Sequence, residues 1–304
     1  MPITTSASTE SEMAKVPSQV SVNTLLGNLI GKVCATNQNI TIPEYGTVNR
    51  ALEILMAESV GVKSGRDFEL KYFMVGRRGN RVKSTSEDGV VEMEANQHQP
   101  VDANLFSPMP FVARPLTNPL TEAQRKNLRC RTVEDFGGVS YEFWWVKLAN
   151  FDEYNPRMLK IIRDPETGIE TPTTFIPTDE NLFPTPINLT SENTVPVSNT
   201  YVNATAMLDC SLNANDVVEL QNVAAIRYGD AGKARISETA VCWGIDTLTE
   251  GNIGTGVMTY TEAVAVVPAH FVSESDARNA NNNTGISLVF DHGVSEPMLL
   301  HTVV

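Results

Sequence analysis

Apolar and polar positions alternate in short runs along most of this chain, and only a few stretches keep the wider spacing of a helix. In VNTLLGNLIGKV (22–33), Val22, Leu25, Leu26, Leu29, Ile30 and Val33 fall at helical spacing, with Gly27 and Gly31 as weak points. GTVNRALEILMAESVGVKSG (46–65) carries the strongest helical pattern. Thr47 stands where a cap belongs, Val48, Ala51, Leu52, Leu55 and Met56 form one stripe, and Gly61 follows the last turn. LTEAQRKNLR (120–129) predicts a short helix. In ANDVVELQNVAAIRYG (214–229), Asn213 can cap a stripe of Val217, Leu220, Val223, Ala224 and Ile226 that Gly229 ends.

Strands are predicted more widely. In FELKYFMVGRRGNRVKS (68–84), Phe68, Leu70, Tyr72 and Met74 alternate with their neighbours, GRRGN supplies a turn, and Arg81-Val82-Lys83 opens a return strand. Gly137-Gly138 predicts a hairpin into the aromatic strand VSYEFWWVKLANF (139–151). There Trp144 and Trp145 point to opposite faces, one for the core and one as an interface anchor. TYVNATAMLDCSL (200–212), RISETAVCWGI (235–245), VMTYTEAVAVV (257–267) and GISLVFDHGV (285–294) read as further strands, with DARNANNNTG (276–285) as a polar loop. Residues 96–120 hold five prolines in an extended loop whose large side chains, Leu105, Phe106, Met109 and Phe111, are suited to docking. The sum is an α+β fold, mostly antiparallel β with two or three helices, a flexible N-terminal arm and long Pro-rich loops. The expected division is an arm over 1–45, an α+β domain over 46–165, a Pro/Thr-rich linker over 166–199, and a β-rich domain with one helix over 200–304. The two larger blocks are open to sharing one sheet.

Composition narrows the class. Of 304 residues, 41% are apolar and 19% charged, enough to build a core. No run of about 18 apolar residues predicts a membrane span. MPITTSASTESEMAKVPSQ lacks the basic and apolar regions of a secretory signal, and reads as an arm that orders on a partner. Net charge is unevenly spread. Residues 1–165 balance 19 basic against 19 acidic side chains, whereas residues 166–304 set 4 basic against 17 acidic, which is the whole net charge of −13. The C-terminal part therefore repels nucleic acid and anionic membrane. The asymmetry reads either as a solvated acidic surface or as an aid to head-to-tail association of copies.

Candidate chemistry is sparse. The cysteines Cys34, Cys130, Cys210 and Cys242 are far apart, with no zinc spacing, and read as reduced thiols. ARISETAVCWGID (234–246) sets Glu238 near Cys242, but none of His98, His270, His292 and His301 lies in a catalytic motif, so Cys242 reads as a buried structural thiol. Glu238, if buried, calls for a cation such as Arg227 or Arg235. GRRGNR (76–81) lacks the spacing and the Lys-Ser/Thr of a P-loop. Lys63, Arg66, Lys71, Arg77, Arg78, Arg81 and Lys83 nevertheless concentrate basic charge, read as a solvated turn or as a seat for an acidic partner surface. No calcium loop appears. The expectation is a non-enzyme with no catalytic, cofactor-binding or metal-binding residues, and with candidate partner contacts at Lys71, Arg77, Arg78, Arg81, Phe106, Phe111 and Trp145.

KYFMVGRRGNR followed by DANLFSPMPFVARPL, and later VELQNVAAIRYGDAGKARISETAVCWGID, resemble segments of virion structural proteins of tailed bacteriophages. In the second segment a helix ending in Gly-Asp precedes an ISE-x-A-x-C-x-G-x-D strand, similar to an I-x-E-x-G-L strand of tail-fibre and baseplate-associated proteins. The likeness covers about half of the chain and rests on packing motifs, so it transfers no active-site residue. It departs at the first turn, Gly-rich in the family and GRRGN here. The resemblance implies a non-enzymatic subunit of the tail, baseplate or neck, assembled in several copies in the host cytoplasm and resident in the virion. Its partners would be other virion proteins and further copies of itself, without nucleic acid or membrane, and with host-surface contact as a further expectation. A receptor- or carbohydrate-binding module of the virion, or a head or decoration protein, is the alternative.

Overall fold

A computed structural model describes residues 19–54, 56–150, 156–184, 197–253, 256–279 and 284–299. Residues 1–18 of the arm predicted over 1–45, Leu55 of the predicted helix stripe and much of the predicted linker (185–196) lie outside the described residues, whereas 19–42 of that arm form regular strands and a helix. Strand β1 (Gln19–Asn23) leads into helix α1 (Leu25–Thr36). The Thr24 hydroxyl caps the helix by accepting the Gly27 N–H at 3.0 Å, and Asn37, at φ 53°, ends it in the left-handed region. Gly27, a weak point for helix propensity, is a packing requirement. A Cβ there would stand 2.6 Å from the Pro268 carbonyl oxygen, so only glycine lets α1 settle on that backbone. Ile30 and Val33 face inward onto Ile40, Ile42 and Phe68.

The long helix expected over 46–65 is corrected. Strands β2 (Asn39–Ile42) and β3 (Gly61–Ser64) pair antiparallel, and between them α2 (Val48–Ala51) is a single turn. Thr47 does cap it, accepting the Arg50 N–H at 3.2 Å, but Glu53 turns to φ 60° and the helix stops. The reason is tertiary. Asn49 is fully buried, its Nδ2 donating to the Ala263 carbonyl at 2.7 Å and its Oδ1 accepting from Val266 N at 2.9 Å. That attachment fixes the turn on a distant strand and overrides local propensity.

Strand β4 (Glu69–Gly76) carries the predicted alternation. Its expected hairpin partner goes elsewhere: β5 (Asn80–Thr85) pairs with β6 (Val91–Ala95). The Pro-rich loop supplies β7 (Pro108–Met109) and β8 (Val112–Pro115), and the single turn α3 (Glu122–Arg125) follows. Strands β9 (Leu128–Phe136) and β10 (Val139–Leu148) form the predicted hairpin, with Gly137 and Gly138 at φ 59° and 80°. Beyond lie β11 (Arg157–Arg163), β12 (Glu170–Thr174), the single turn α4 (Asp179–Leu182), β13 (Val197–Asp209) and helix α5 (Ala214–Tyr228). Helix α5 buries Val217, Leu220, Val223 and Ala224, as its stripe predicts. Two long strands, β14 (Arg235–Ile253) and β15 (Gly256–Asn279), and then β16 (Val289–Leu299) complete the described chain.

The described residues are mostly antiparallel β with a minority of helix, broadly α+β. They fall into two compact units that interleave along the chain: Met1–Lys147 with Asn215–Thr284, and Leu148–Ala214 with Gly285–Val304. In the first, an eight-stranded sheet runs β1-β15-β14-β4-β10-β8, with β7 on β4 and β9 on β10. Strand β14 lies between β15 and β4, which buries Ile236–Cys242 on both faces. Tyr72, Phe73, Met74, Phe143, Trp144 and Phe271 fill the core. The second unit holds a four-stranded sheet, β12-β11-β13-β16. No described helix is long and apolar enough to cross a membrane.

Candidate functional site

The stretch ARISETAVCWGID is organised around Glu238. That residue is buried on β14, and its partner is neither Arg227 nor Arg235. Oε1 accepts the backbone N–H of Arg78 at 3.1 Å and of Ser107 at 2.9 Å, and Oε2 accepts that of Phe106 at 3.0 Å. His98 completes the set. Its Nε2 lies 3.3 Å from Glu238 Oε2 and its Nδ1 3.0 Å from Asp102 Oδ2. The imidazole is stacked between Phe106 and Phe271, with ring centroids 3.9 and 4.0 Å away. One carboxylate thus clasps the GRRGN turn and the Pro-rich loop to β14. The turn fits because a Cβ on Gly79 would stand 1.9 Å from the Ser237 carbonyl oxygen. The Gly79 N–H donates to Ser237 Oγ at 2.9 Å. These bonds draw the chain away from β4 and explain why no β4–β5 hairpin forms.

The predicted partner contacts separate into two groups. Lys71 pairs with Glu69 and, at 3.0 Å, with Asp246. Arg81 pairs with Glu94 at 2.6 Å, and its neighbour Lys83 with Glu92 at 2.8 Å, so β6 supplies the anions facing β5. The Arg77 guanidinium sits 3.9 Å over the Tyr228 ring. Phe111 is buried edge-on to Phe73, and Trp145 is buried, donating from Nε1 to Thr132 at 2.8 Å beneath Arg227. Both tryptophan rings of β10 are therefore inside. Exposed among the seven are Arg78, Arg81 and Phe106.

Further carboxylates tie strands together, Glu142 and Glu262 from buried positions and Asp246 from a more exposed one. Asp246 accepts from Arg129 at 2.8 and 3.0 Å and from the Tyr72 hydroxyl at 2.9 Å. Burial opposes its charge, but Arg129, Lys71 and Tyr72 together hold it below the usual carboxylate range. Glu262 accepts the N–H groups of Cys130, Arg131 (3.0 Å) and Ala263 (2.8 Å) where Cys130 takes φ 58°. Burial outweighs these bonds and pushes its carboxyl up. Glu142 answers Arg131 at 2.8 Å.

Cys130, Cys210 and Cys242 are fully buried, and burial pushes the Cys130 and Cys210 thiols up. Cys34 is only partly covered, its thiol also raised by burial. A thiol reagent at neutral pH is therefore expected to label Cys34 alone, slowly, and all four cysteines after denaturation. Fast labelling of Cys242 in the folded protein would restore the nucleophile reading.

What sequence reading passed over is an apolar groove of about 450 Å³ between α1 and the Pro-rich loop. Leu25, Leu29, Tyr45 and Val101 line it and remain 49–77% exposed, with Pro43 and Pro100 beside them. The signal was present in α1, whose apolar positions are too many for one buried stripe: Ile30 and Val33 go inward, Leu25 and Leu29 outward.

Fold and site together define a predominantly antiparallel β protein whose buried polar centres fasten loops and whose open groove is apolar. The chain belongs to a family of unknown function, DUF7208, matched over residues 10–304. No curated protein and no solved structure matches it.

Proposed function

We propose that the chain is a non-enzymatic structural subunit of a tailed-phage particle, assembled in several copies in the tail, baseplate or neck. The observation that carries this reading is the groove. Its four large apolar side chains stay exposed together around one concave site, which is the mark of surface covered in an assembly. The buried ionisable groups support it from the other side. Glu238, Glu142 and Glu262 spend their oxygens on backbone N–H groups, His98 or Arg131, so they hold a contact surface in shape. The groove seats an apolar segment of another virion subunit.

The test is a Leu25→Asp/Leu29→Asp variant. Both side chains are exposed, so its melting temperature should stay near that of the parent protein. Complementation of a phage lacking the wild-type chain should yield particles without the subunit, and infectious titre should fall by about tenfold or more. Particles that carry the variant in normal amount would overturn the proposal.

A further inference from the structure

One face of the second unit's sheet is open and largely apolar from Ala204 to Thr200 of β13, while Ala206 and Leu208 further along the same face are buried. In an antiparallel sheet directly paired residues share a face, so the register identifies its rows. Met158 of β11, Ala204 of β13 and Val294 of β16 form one row. Lys160, Val202 and Glu296 form the next, and Ile162 with Thr200 a third. Met158, Ile162 and Val294 are 44–64% exposed, and Ala204 and Glu296 are exposed as well.

The arrangement of these rows is self-complementary. Strand β13 lies between β11 and β16, so Lys160 and Glu296 flank Val202 from opposite sides, each about 4.8 Å from the β13 axis. A two-fold axis parallel to β13, lying above this face, carries each β11 over the other copy's β16. Lys160 of one copy then opposes Glu296 of the other, twice. Met158 opposes Val294, twice, and the small Ala204 meets its own equivalent at the centre. Strand directions stay aligned, the common geometry for two stacked sheets.

We propose that a second copy of this chain docks on this face as an isologous, sheet-on-sheet dimer, its register set by reciprocal Lys160–Glu296 pairs. The proposal rests on the assembly reading and names one of its partners. It differs from pairing through the open edge of β16, which would leave both charges outside the contact.

The experiment is sedimentation velocity on the full chain over a range of concentrations, with circular dichroism to confirm folding. Lys160→Glu and Glu296→Lys each change two symmetry-related contacts from attraction to repulsion, so each single variant should raise the dimer dissociation constant about tenfold or more. The combined swap should return it to within about threefold, because the pair is re-formed with its signs exchanged. An equimolar mixture of the two single variants should associate again, because each introduced charge meets its complement. A monomer at all concentrations overturns this dimer while leaving the assembly reading to the groove variant. A dimer indifferent to both reversals, as edge pairing predicts, also overturns it.

Discussion

Glu238→Ala should be the most damaging single substitution in the chain, lowering stability by about 4–6 kcal/mol. The change removes the acceptor of three backbone N–H groups, those of Arg78, Phe106 and Ser107, and leaves His98 without one of its two carboxylate neighbours. Buried donors left without partners cost about 1–3 kcal/mol each, and these share one carboxylate, so they fail together. For a unit of this size the loss corresponds to roughly 10–20 °C in melting temperature. Glu238→Gln keeps one good acceptor but turns an NH₂ group toward another donor, so it should fall between the parent and the alanine variant. Limited proteolysis gives a local readout, since the clasp holds residues 106–107 and the turn at Arg78, and cleavage there should rise before global unfolding. An alanine variant that melts within about 2 °C of the parent protein would show that the clasp contributes little.

Much of the fold was legible where the determining interactions are local. The alternation in β4, the Gly137-Gly138 turn and the stripe of α5 each report a choice made by neighbouring residues. The misreadings share one cause. At 46–65 the stripe and the cap are genuine, but Asn49 answers to Ala263 and Val266, more than two hundred positions away, and that bond set the helix length. The return strand after GRRGN was expected on β4 because nothing nearby shows that Glu238 holds the turn from 160 positions downstream. The candidate contacts follow the same rule. Basic residues concentrated over 63–83 look unanswered in sequence, yet Glu92, Glu94 and Asp246 reach them from other strands. The groove was half legible, because a wide apolar stripe announces surplus surface without saying which side stays open.

Asn49 gives the second large effect, because it repairs a defect the sheet makes in itself. The register of β14 on β15 shifts between Trp243 and Ile245, opposite a buried Ala265 at φ 51°. Such a bulge leaves backbone groups without ladder partners, and here the Asn49 amide takes both, donating to the Ala263 carbonyl and accepting from the Val266 N–H. Leucine fills nearly the same volume with no polar atom, so Asn49→Leu orphans the buried Val266 N–H and leaves the Ala263 carbonyl only the weak Cys130 thiol donor at 3.9 Å. The expected loss is about 2–4 kcal/mol, read as a lower denaturant midpoint with an unchanged m-value. Asn49→Asp should not rescue it. The aspartate can still accept from Val266, but it sets an oxygen against the Ala263 carbonyl, and in a buried site that repulsion replaces a hydrogen bond. Hydrogen exchange separates this account from a general packing defect. The Val266 amide should lose protection in the leucine variant and keep more of it in the aspartate variant, although both are destabilised. Equal protection of Val266 in the two variants would mean that the bulge does not depend on the asparagine.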